Sequence, residues 1–466
     1  MKNIACIYLL FSLVAAAGLS GCNKMISIGT PRNQLVSEAV FTDTATAEAA
    51  VLGVYSRVAN SIIGSDIGTA TSLYNGLSAD EGTYFTQGLY DQFTQNALQS
   101  SFYYVDFYWT SFYTVIYDAN ALIAGDSASS LPAGYKARTI GEAKFIRALC
   151  YFYLTNEFGA VPLVLSTDVR TTTNQPRDSV SVVYAQIIRD LTDAQSVLPA
   201  DLTLYAGNRT RATSWAASAL LARAYLYQKN WSKAEAAATA VINNPGLFSI
   251  VTNPANVFLA NSTEGIMQFA NAITQSWMAT TLAGFPANPT PSFVLSDSLY
   301  AAFEPADLRL SNWTGIKAYG GKNYPYPYKY KYRGGVGSVE YAQVLRLSEQ
   351  YLIRAEARMQ QGNLSGAAAD VNVVRTRAGL PNTTANDVAA MTAALEHENR
   401  IEFFCEWGHR WLDLRRWPGI ANPAIRRADE VYPTDKTTSW NPNDALYPIP
   451  QAEITTNPNL TQNVGY

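Results

Sequence analysis

The sequence predicts a mostly α-helical protein in which helical hairpins carry a loop-rich region with short strands. Two observations predict this fold class: small and apolar residues recur at spacings of three and four, and one helical hairpin occurs twice with the same spacing. A third observation, a tyrosine-rich run of period two, predicts an extended segment among the helices. Hydrophobic residues make up 48% of the 466 residues and charged residues 15%, which supplies a core and excludes a disordered chain.

The N-terminus is typical of a cleaved leader that ends at a lipid-attached cysteine. Lys2 precedes the apolar run IACIYLLFSLVAAA, which has the composition of a secretory signal peptide and is short for a membrane-spanning helix. The stretch LSGC, ending at Cys22, resembles the bacterial lipobox, in which the cysteine is acylated. We expect residues 1–21 to be removed and residues 22–34 to form the lipidated cysteine and its tether. An ordinary signal peptide with an incidental cysteine is the alternative.

Residues 35–466 are predicted to form one domain, because no Pro/Ser linker or low-complexity run interrupts them. Its N-terminal part contains several helical stretches, the last of which is expected to end at Gly159. Cys150 and Cys405 lie in apolar, helix-like runs. Two buried free thiols are favoured there, and a disulfide is the alternative for an exported protein.

The repeated hairpins are predicted at about residues 212–244 and 345–377. In the first, small and apolar residues recur at helical spacing on both sides of a break at QKN, and NNPG ends the second helix. The second hairpin follows 133 residues later and matches six positions: Ala222 with Ala355, Leu226 with Met359, Trp231 with Leu364, Ala234 with Ala367, Ala238 with Val371 and Val241 with Val374. The small residues allow close helix contact, as in tetratricopeptide hairpins.

The tyrosine-rich run NYPYPYKYKYRGG contrasts with this helical background. Its five tyrosines, beginning with Tyr324 and Tyr326, alternate with proline and lysine, so they share one face of an extended strand. Pro325 and Pro327 limit hydrogen bonding, which predicts an edge strand or an extended loop. The tyrosine face either packs on the helical scaffold or contacts a ligand.

Composition and spacing argue against several classes of function. Loss of Lys2 leaves 33 of the 34 basic residues against 37 acidic ones, and the sequence has no cluster of basic residues for nucleic acid. The presence of only two histidines and the absence of HExxH, CxxC, GxSxG and P-loop motifs argue against a histidine-based metal site or a catalytic triad. We expect no cofactor, and structural calcium stays open because it needs only oxygen ligands.

Carboxylate pairs and aromatic residues are the remaining candidates for function. Asp80 with Glu81, and Glu402 with Glu406, are the visible pairs for glycoside hydrolysis, although the second pair has helical spacing that favours ion pairing. Aromatic residues in polar, loop-like contexts are the better candidates, because flat rings can lie against sugar C–H faces. The ligand-binding candidates are Tyr84, Phe85, Trp277, Trp313, Tyr324 and Tyr326.

Three segments carry a family resemblance: GEAKFIRALCYFYLTNEFGAVPLV at 141–164, ENRIEFFCEWGHRWLDLRRW at 398–417 and LYPIPQAEITTNPNLTQNVGY at 446–466. Together with the lipobox and the two hairpins, they resemble the SusD/RagB family of outer-membrane nutrient-binding lipoproteins. The resemblance implies a SusD-like fold with tetratricopeptide-like units and a variable ligand lobe, drawn here from about 60–110 and 250–340.

The resemblance also implies a function and a location. Such a protein is non-catalytic, binds oligosaccharides at the cell surface and delivers them to a SusC-like, TonB-dependent β-barrel in the outer membrane. The alternatives are a binder of peptide nutrients, a structural lid or adaptor of the transporter, and, more remotely, a glycoside hydrolase. Hallmark charged residues are expected to form ion pairs of the scaffold: Glu142, Arg147, Glu402, Arg410, Asp413 and Arg415.

Overall fold

The computed structural model describes residues 40–59, 66–270, 278–283, 288–332, 339–436 and 440–466. Cys22, the tether and Trp277 therefore lie outside the described residues. Within them the protein is mostly helical, as the sequence predicts.

The helices follow one another along the whole described chain. They are α1 Thr44–Ala59, α2 Ile67–Ser78, α3 Asp91–Thr94, α4 Tyr103–Ala128, α5 Ala133–Phe158, α6 Val169–Thr172, α7 Val180–Val197, α8 Ser214–Tyr227, α9 Trp231–Ile242, α10 Asp297–Ala301, α11 Leu308–Trp313, α12 Leu347–Gln360, α13 Leu364–Arg377, α14 Val388–Phe403, α15 His409–Arg416, α16 Arg427–Asp435 and α17 Gln451–Thr456.

The strands are short and form three two-stranded antiparallel sheets. They are β1 Gly82–Tyr84, β2 Gly265–Phe269, β3 Phe293–Leu295, β4 Thr314–Tyr319, β5 Lys322–Pro327 and β6 Ala342–Arg346. The pairs are β1 with β3, β2 with β6, and β4 with β5. Since β5 pairs with β4 alone among the described strands, its two prolines cost no central hydrogen bonds.

Helix α5 lies at the centre of the N-terminal half. It packs against α4 and α7, and almost every residue from Ala143 to Phe158 is buried. Gly141 lets the end of α7 approach closely, because a Cβ there would clash with Val197. Cys150 and Cys405 are both buried free thiols, so the favoured alternative is confirmed.

The two predicted hairpins are formed by α8 with α9 and by α12 with α13. Five of the six matched positions in each hairpin are buried, whereas Trp231 and Leu364 are partly exposed. The turns also correspond across the 133-residue offset: Lys229 and Gly362 both have positive φ, 55° and 81°. The N-caps correspond as well, since Asn230 accepts from the N–H of Lys233 and Asn363 from that of Gly366. The two hairpins therefore share their turn conformation and N-cap hydrogen bonds as well as the spacing of their buried residues.

We expect Asn363→Ala to lower the free energy of unfolding by about 1 kcal/mol, the usual cost of a lost N-cap. The Asn363 side chain accepts the Gly366 N–H at 2.9 Å, and alanine cannot replace that acceptor. Urea denaturation would measure the change, with Asn386→Ala in an exposed position as the matched control. Equal stability of the two variants would contradict the capping role.

The hallmark charged residues form ion pairs in the scaffold, which confirms their predicted role. The pairs are Glu142 with Arg211 and Arg138, Arg147 with Asp190, Glu402 with Arg346, Arg410 with Asp80, Asp413 with Arg416 and Arg415 with Glu157.

A buried charged cluster joins the second hairpin to the strands. It consists of Glu264, Arg309, Lys329, Arg346, Arg377, Glu398, Glu402 and Glu406. Arg346, at the end of β6, is its hub: its guanidinium lies 2.8 Å from Glu264, 2.8 Å from Glu402 and 2.9 Å from Glu406. Lys329 connects the segment after β5 to this cluster, since its ammonium lies 2.6 Å from Glu406.

Candidate functional site

Long-range strand pairing places the predicted aromatic residues beside a β-hairpin. Gly82 pairs with Leu295 and Tyr84 with Phe293, and the N–H of Phe85 donates to the Ser292 carbonyl at 2.8 Å. Strand β3 also packs against β5, which is the second strand of the β4–β5 hairpin. Phe85 is thereby held next to the tyrosines of that hairpin.

Three rings form what we call the first ring group: Phe85, Tyr319 and Tyr324. The Phe85 centroid lies 5.5 Å from that of Tyr319 and 5.3 Å from that of Tyr324, at interplanar angles of 87° and 80°. These are edge-to-face contacts, which fix ring orientation as well as burying area. Tyr319 is 40% exposed, and the other two rings are half-buried. The group is therefore both ordered and accessible from solvent.

A second ring group lies around Tyr84 and consists of Tyr84, Tyr90, Tyr103 and Tyr104. Tyr84 meets Tyr90 edge-to-face at 4.8 Å, Tyr90 lies 4.8 Å from Tyr104, and Tyr104 lies 5.4 Å from Tyr103. Burial raises the pKa of Tyr84 and of Tyr90 further above neutral pH, and their hydroxyls, like any tyrosine hydroxyl, are protonated there. They can therefore donate hydrogen bonds as well as accept them.

The other tyrosine candidate in β5 has a different environment. The ring of Tyr326 lies over Gly315 of the paired strand, where a Cβ would clash with it, and it contacts the ring of Tyr328 at 5.7 Å. Beyond Pro327 the strand ends, and Tyr330 is buried against Phe258. Packing on the scaffold is therefore confirmed for Tyr330, whereas Tyr324 lies among the accessible rings and its contact with a ligand stays a prediction.

The assignment of Trp313 to a ligand site is wrong for this structure. Its side chain is fully buried, and its indole N–H donates to the Pro254 carbonyl at 2.8 Å. The cations of Lys329 and Arg377 lie over its ring at 4.8 and 5.0 Å from the centroid. The Trp313 ring therefore packs against the charged cluster.

The carboxylates that the sequence offers for hydrolysis are buried structural groups. Asp80 accepts two hydrogen bonds of 2.8 Å from Arg410 and pairs with Arg400 at 2.8 Å. Burial opposes its ionisation, but these two arginines outweigh burial and hold the pKa of Asp80 below its ordinary value. Glu402 and Glu406 belong to the charged cluster.

Glu81 lies in the sequence between Asp80 and the ring residues Tyr84 and Phe85. Its carboxylate accepts from the N–H of Cys405 at 3.0 Å, and its carbonyl accepts from the N–H of Ser296 at 2.9 Å. Burial raises the pKa of Glu81 to about 7. Asp80 and Glu81 therefore fix the start of β1, from which Tyr84 and Phe85 project.

We expect Glu81→Gln to flatten the dependence of stability on pH between pH 4.5 and 7. The folded-state pKa of about 7 exceeds the ordinary 4.5, so the folded protein keeps a proton that the unfolded chain releases in this window. Stability then falls as pH rises, by on the order of 3 kcal/mol for this group. Urea denaturation at several pH values would measure the slope, with Asp297→Asn at an exposed position as control. An unchanged slope in Glu81→Gln would contradict this assignment.

Comparison with known proteins gives matches along nearly the whole chain. The family model described as "SusD family" matches residues 300–466, and the one described as "Starch-binding associating with outer membrane" matches residues 35–226. A relative from Formosa agariphila, SusD-like protein P2, is 26% identical over 98% of this chain and 99% of its own. The chain belongs to the SusD family. Membership indicates carbohydrate ligands and association with the outer membrane.

Solved structures show that the SusD-like fold class is correct. A SusD superfamily protein from Bacteroides vulgatus superposes with a TM-score of 0.77 at 22% identity, covering 91% of this chain and 99% of that one. A laminarin-binding SusD-like protein superposes with a TM-score of 0.74 at 23% identity, covering 91% and 100%.

In this SusD-family chain, the described residues contain neither a membrane-spanning helix nor a metal-ligand group. No helix among them is both long and apolar enough to cross a bilayer. Nor do three or more His, Cys, Asp or Glu side chains converge there as metal ligands.

Sequence reasoning missed four of the ring-group residues: Tyr319, Tyr90, Tyr103 and Tyr104. Tyr319 precedes Gly320 and Gly321, whose positive φ values of 56° and 79° form the turn of the β4–β5 hairpin. A Gly-Gly pair between two short extended runs is a hairpin signal, so Tyr319 could have been found beside Tyr324. The other three come from α3 and α4 or their flanks, and no local pattern relates them to Tyr84.

Proposed function

We propose that this protein is a non-catalytic, lipid-anchored carbohydrate-binding protein of the outer-membrane surface. It captures an oligosaccharide on the first ring group and delivers it to a SusC-like, TonB-dependent β-barrel transporter. Cys22 carries the lipid. The observation that supports binding is the accessible, edge-to-face arrangement of Phe85, Tyr319 and Tyr324 beside a hairpin with exposed polar residues.

The chemistry of this surface suits neutral sugars. Rings of this kind lie against the C–H faces of pyranoses, while hydroxyls and amides bond the sugar hydroxyls. Thr83, Thr86 and Asn323 are exposed next to the rings and supply such groups. If two or three rings each contribute about 1 kcal/mol beyond area burial, the affinity falls between millimolar and micromolar. Binding of that strength releases the ligand readily to a transporter.

The direct test is calorimetric titration of the mature chain, in a detergent without a sugar headgroup, against laminari- and malto-oligosaccharides. We expect Phe85→Ala and Tyr319→Ala each to weaken binding about fivefold to tenfold, which corresponds to about 1 to 1.4 kcal/mol. Leu204→Ala, at an exposed apolar position outside both ring groups, is the matched control.

Chromatography of each mixture afterwards separates binding from turnover. Unchanged oligosaccharide supports a carrier, whereas new products would contradict the non-catalytic role. Binding that Phe85→Ala and Tyr319→Ala leave intact would remove the first ring group from the site. If no sugar of the panel binds but peptides do, the protein binds peptide nutrients and the carbohydrate proposal is contradicted.

A further inference from the structure

A cleft of about 420 Å³ lies beside the middle of α4, and none of its described lining residues belongs to the first ring group. Its walls come from α4, from the segment between α5 and α7, and from the C-terminal segment around α17. The volume is within the range of ligand pockets in proteins. From Tyr104 of the second ring group to Tyr113 in this cleft, α4 rises by about 13 Å.

Aromatic side chains form one wall of the cleft. Trp109, Tyr113 and Tyr117 recur every four residues along α4, so they share one face of the helix. The rings of Trp109 and Tyr113 lie 4.9 Å apart, and the Tyr113 hydroxyl donates to the Pro162 carbonyl at 2.8 Å. Tyr117 is 52% exposed at the mouth. This wall combines two fixed rings with one accessible ring.

The hydroxyl groups of the cleft mainly offer acceptors. Thr110 and Thr114 of α4 donate to the carbonyls of Asp106 and Thr110 at 2.9 and 2.8 Å. Thr172, on the opposite wall, donates to the Asp168 carbonyl at 3.1 Å. Each hydroxyl proton is thus committed to the helix, and the lone pairs of the hydroxyl oxygens stay available. A ligand that matches them must supply hydrogen-bond donors.

Glu453 of α17 gives the cleft its charge. Its carboxylate has no hydrogen bond or ion pair with the residues that the structure describes, although it lines a half-enclosed cleft. Burial raises the pKa of Glu453, and the nearby charge of Asp106 adds to this effect. The described lining contains no lysine or arginine. An anionic ligand is therefore disfavoured, and a cationic one would neutralise Glu453 while facing aromatic rings.

We propose that this cleft is a second sugar site, which binds a pyranose unit carrying a protonated amine opposite Glu453. The rings of Tyr113 and Tyr117 contact the C–H face of the sugar, the threonine hydroxyls accept from its hydroxyls, and the Glu453 carboxylate accepts from its ammonium. The site extends carbohydrate binding to an amino-sugar unit and does not require the first ring group.

The test uses saturation-transfer NMR on the mature chain at pH 6.5 with glucosamine, glucose and glucuronate as probes. We expect glucosamine to give the strongest signal, glucose a weaker one and glucuronate none. Tyr117→Ala and Glu453→Gln should each reduce the glucosamine signal at least fivefold, whereas Phe85→Ala and Leu204→Ala should preserve it. Thr114→Val offers a third variant if either substitution lowers the melting temperature.

The alternative outcomes are distinct. A glucosamine signal that Tyr117→Ala, Glu453→Gln and Thr114→Val all leave unchanged would overturn the proposal. Loss of the signal in Phe85→Ala alone would place glucosamine at the first ring group, which contradicts a second site but supports the proposed function. A glucuronate signal equal to that of glucosamine would refute the role of Glu453. If oligosaccharides do not bind but glucosamine binds in this cleft, oligosaccharide binding at the first ring group is contradicted and the amino-sugar site is supported.

Discussion

Arg346→Met is expected to lower the free energy of unfolding by about 3 to 5 kcal/mol, the cost of removing one partner from a buried ion pair. The Arg346 side chain is 2% exposed and bonds three carboxylates, those of Glu264, Glu402 and Glu406. Methionine fills much of the space but leaves these carboxylates with less positive charge in the core. Urea denaturation of the mature chain would measure the loss.

The matched control is Arg170→Met. Arg170 also pairs with a carboxylate, that of Asp168 at 2.7 Å, but its side chain is 86% exposed. Solvent screens exposed pairs, so this variant should be about as stable as the parent protein. Similar losses in the two variants would show that burial does not govern the contribution of the charged cluster.

Gly408→Ala is expected to cost about 3 kcal/mol, because two unfavourable effects add. Gly408 precedes α15 with a φ of 70°, and an added Cβ would clash with the side-chain amide of Asn75. That amide donates to Glu157 at 2.5 Å and accepts from the Tyr447 hydroxyl at 2.8 Å. Displacing Asn75 therefore breaks buried hydrogen bonds that join α2, α5 and the C-terminal segment, in addition to straining the backbone.

Gly207→Ala separates these two effects. Gly207 has a φ of 82°, and an added Cβ there would meet no atom within 4 Å. Its substitution should cost only the backbone strain, about 1 kcal/mol. Thermal or urea denaturation of both variants would give the difference. A loss for Gly408→Ala no larger than that for Gly207→Ala would mean that Asn75 relaxes without losing its bonds.

The helical scaffold could be predicted because its signals are local. Positions such as Ala222 and Ala355 are buried where the matched spacing places them, and helix periodicity depends on neighbours within one or two turns. The ion pairs of Glu142 and Arg410 were also expected from the family resemblance, and the burial of these charges requires such partners.

The candidate site could be predicted only in part, because long-range contacts decide which aromatic residues are accessible. Phe85 was found from its polar surroundings and Tyr324 from the period-two tyrosine run, and the structure brings their rings together. Trp313 has an equally polar local sequence, but Lys329 and Arg377 from distant segments enclose it. Tyr104 reaches Tyr90 only through the packing of α4 against neighbouring elements. The polarity of the neighbouring sequence therefore does not show whether distant segments bury an aromatic side chain.

The pairing of β1 with β3 also determines when during folding the first ring group can form. Gly82 meets Leu295, so more than 200 residues must be ordered or looped between them, whereas each helical hairpin closes within about 30 residues. Closing a long loop costs entropy that local helix contacts avoid, and non-local contacts slow folding. Each helical hairpin can therefore form from short-range contacts, whereas the ring surface needs the long-range pairing of β1 with β3. A chain that ends before residue 293 contains the first hairpin but lacks both β3 and the hairpin that carries Tyr319 and Tyr324.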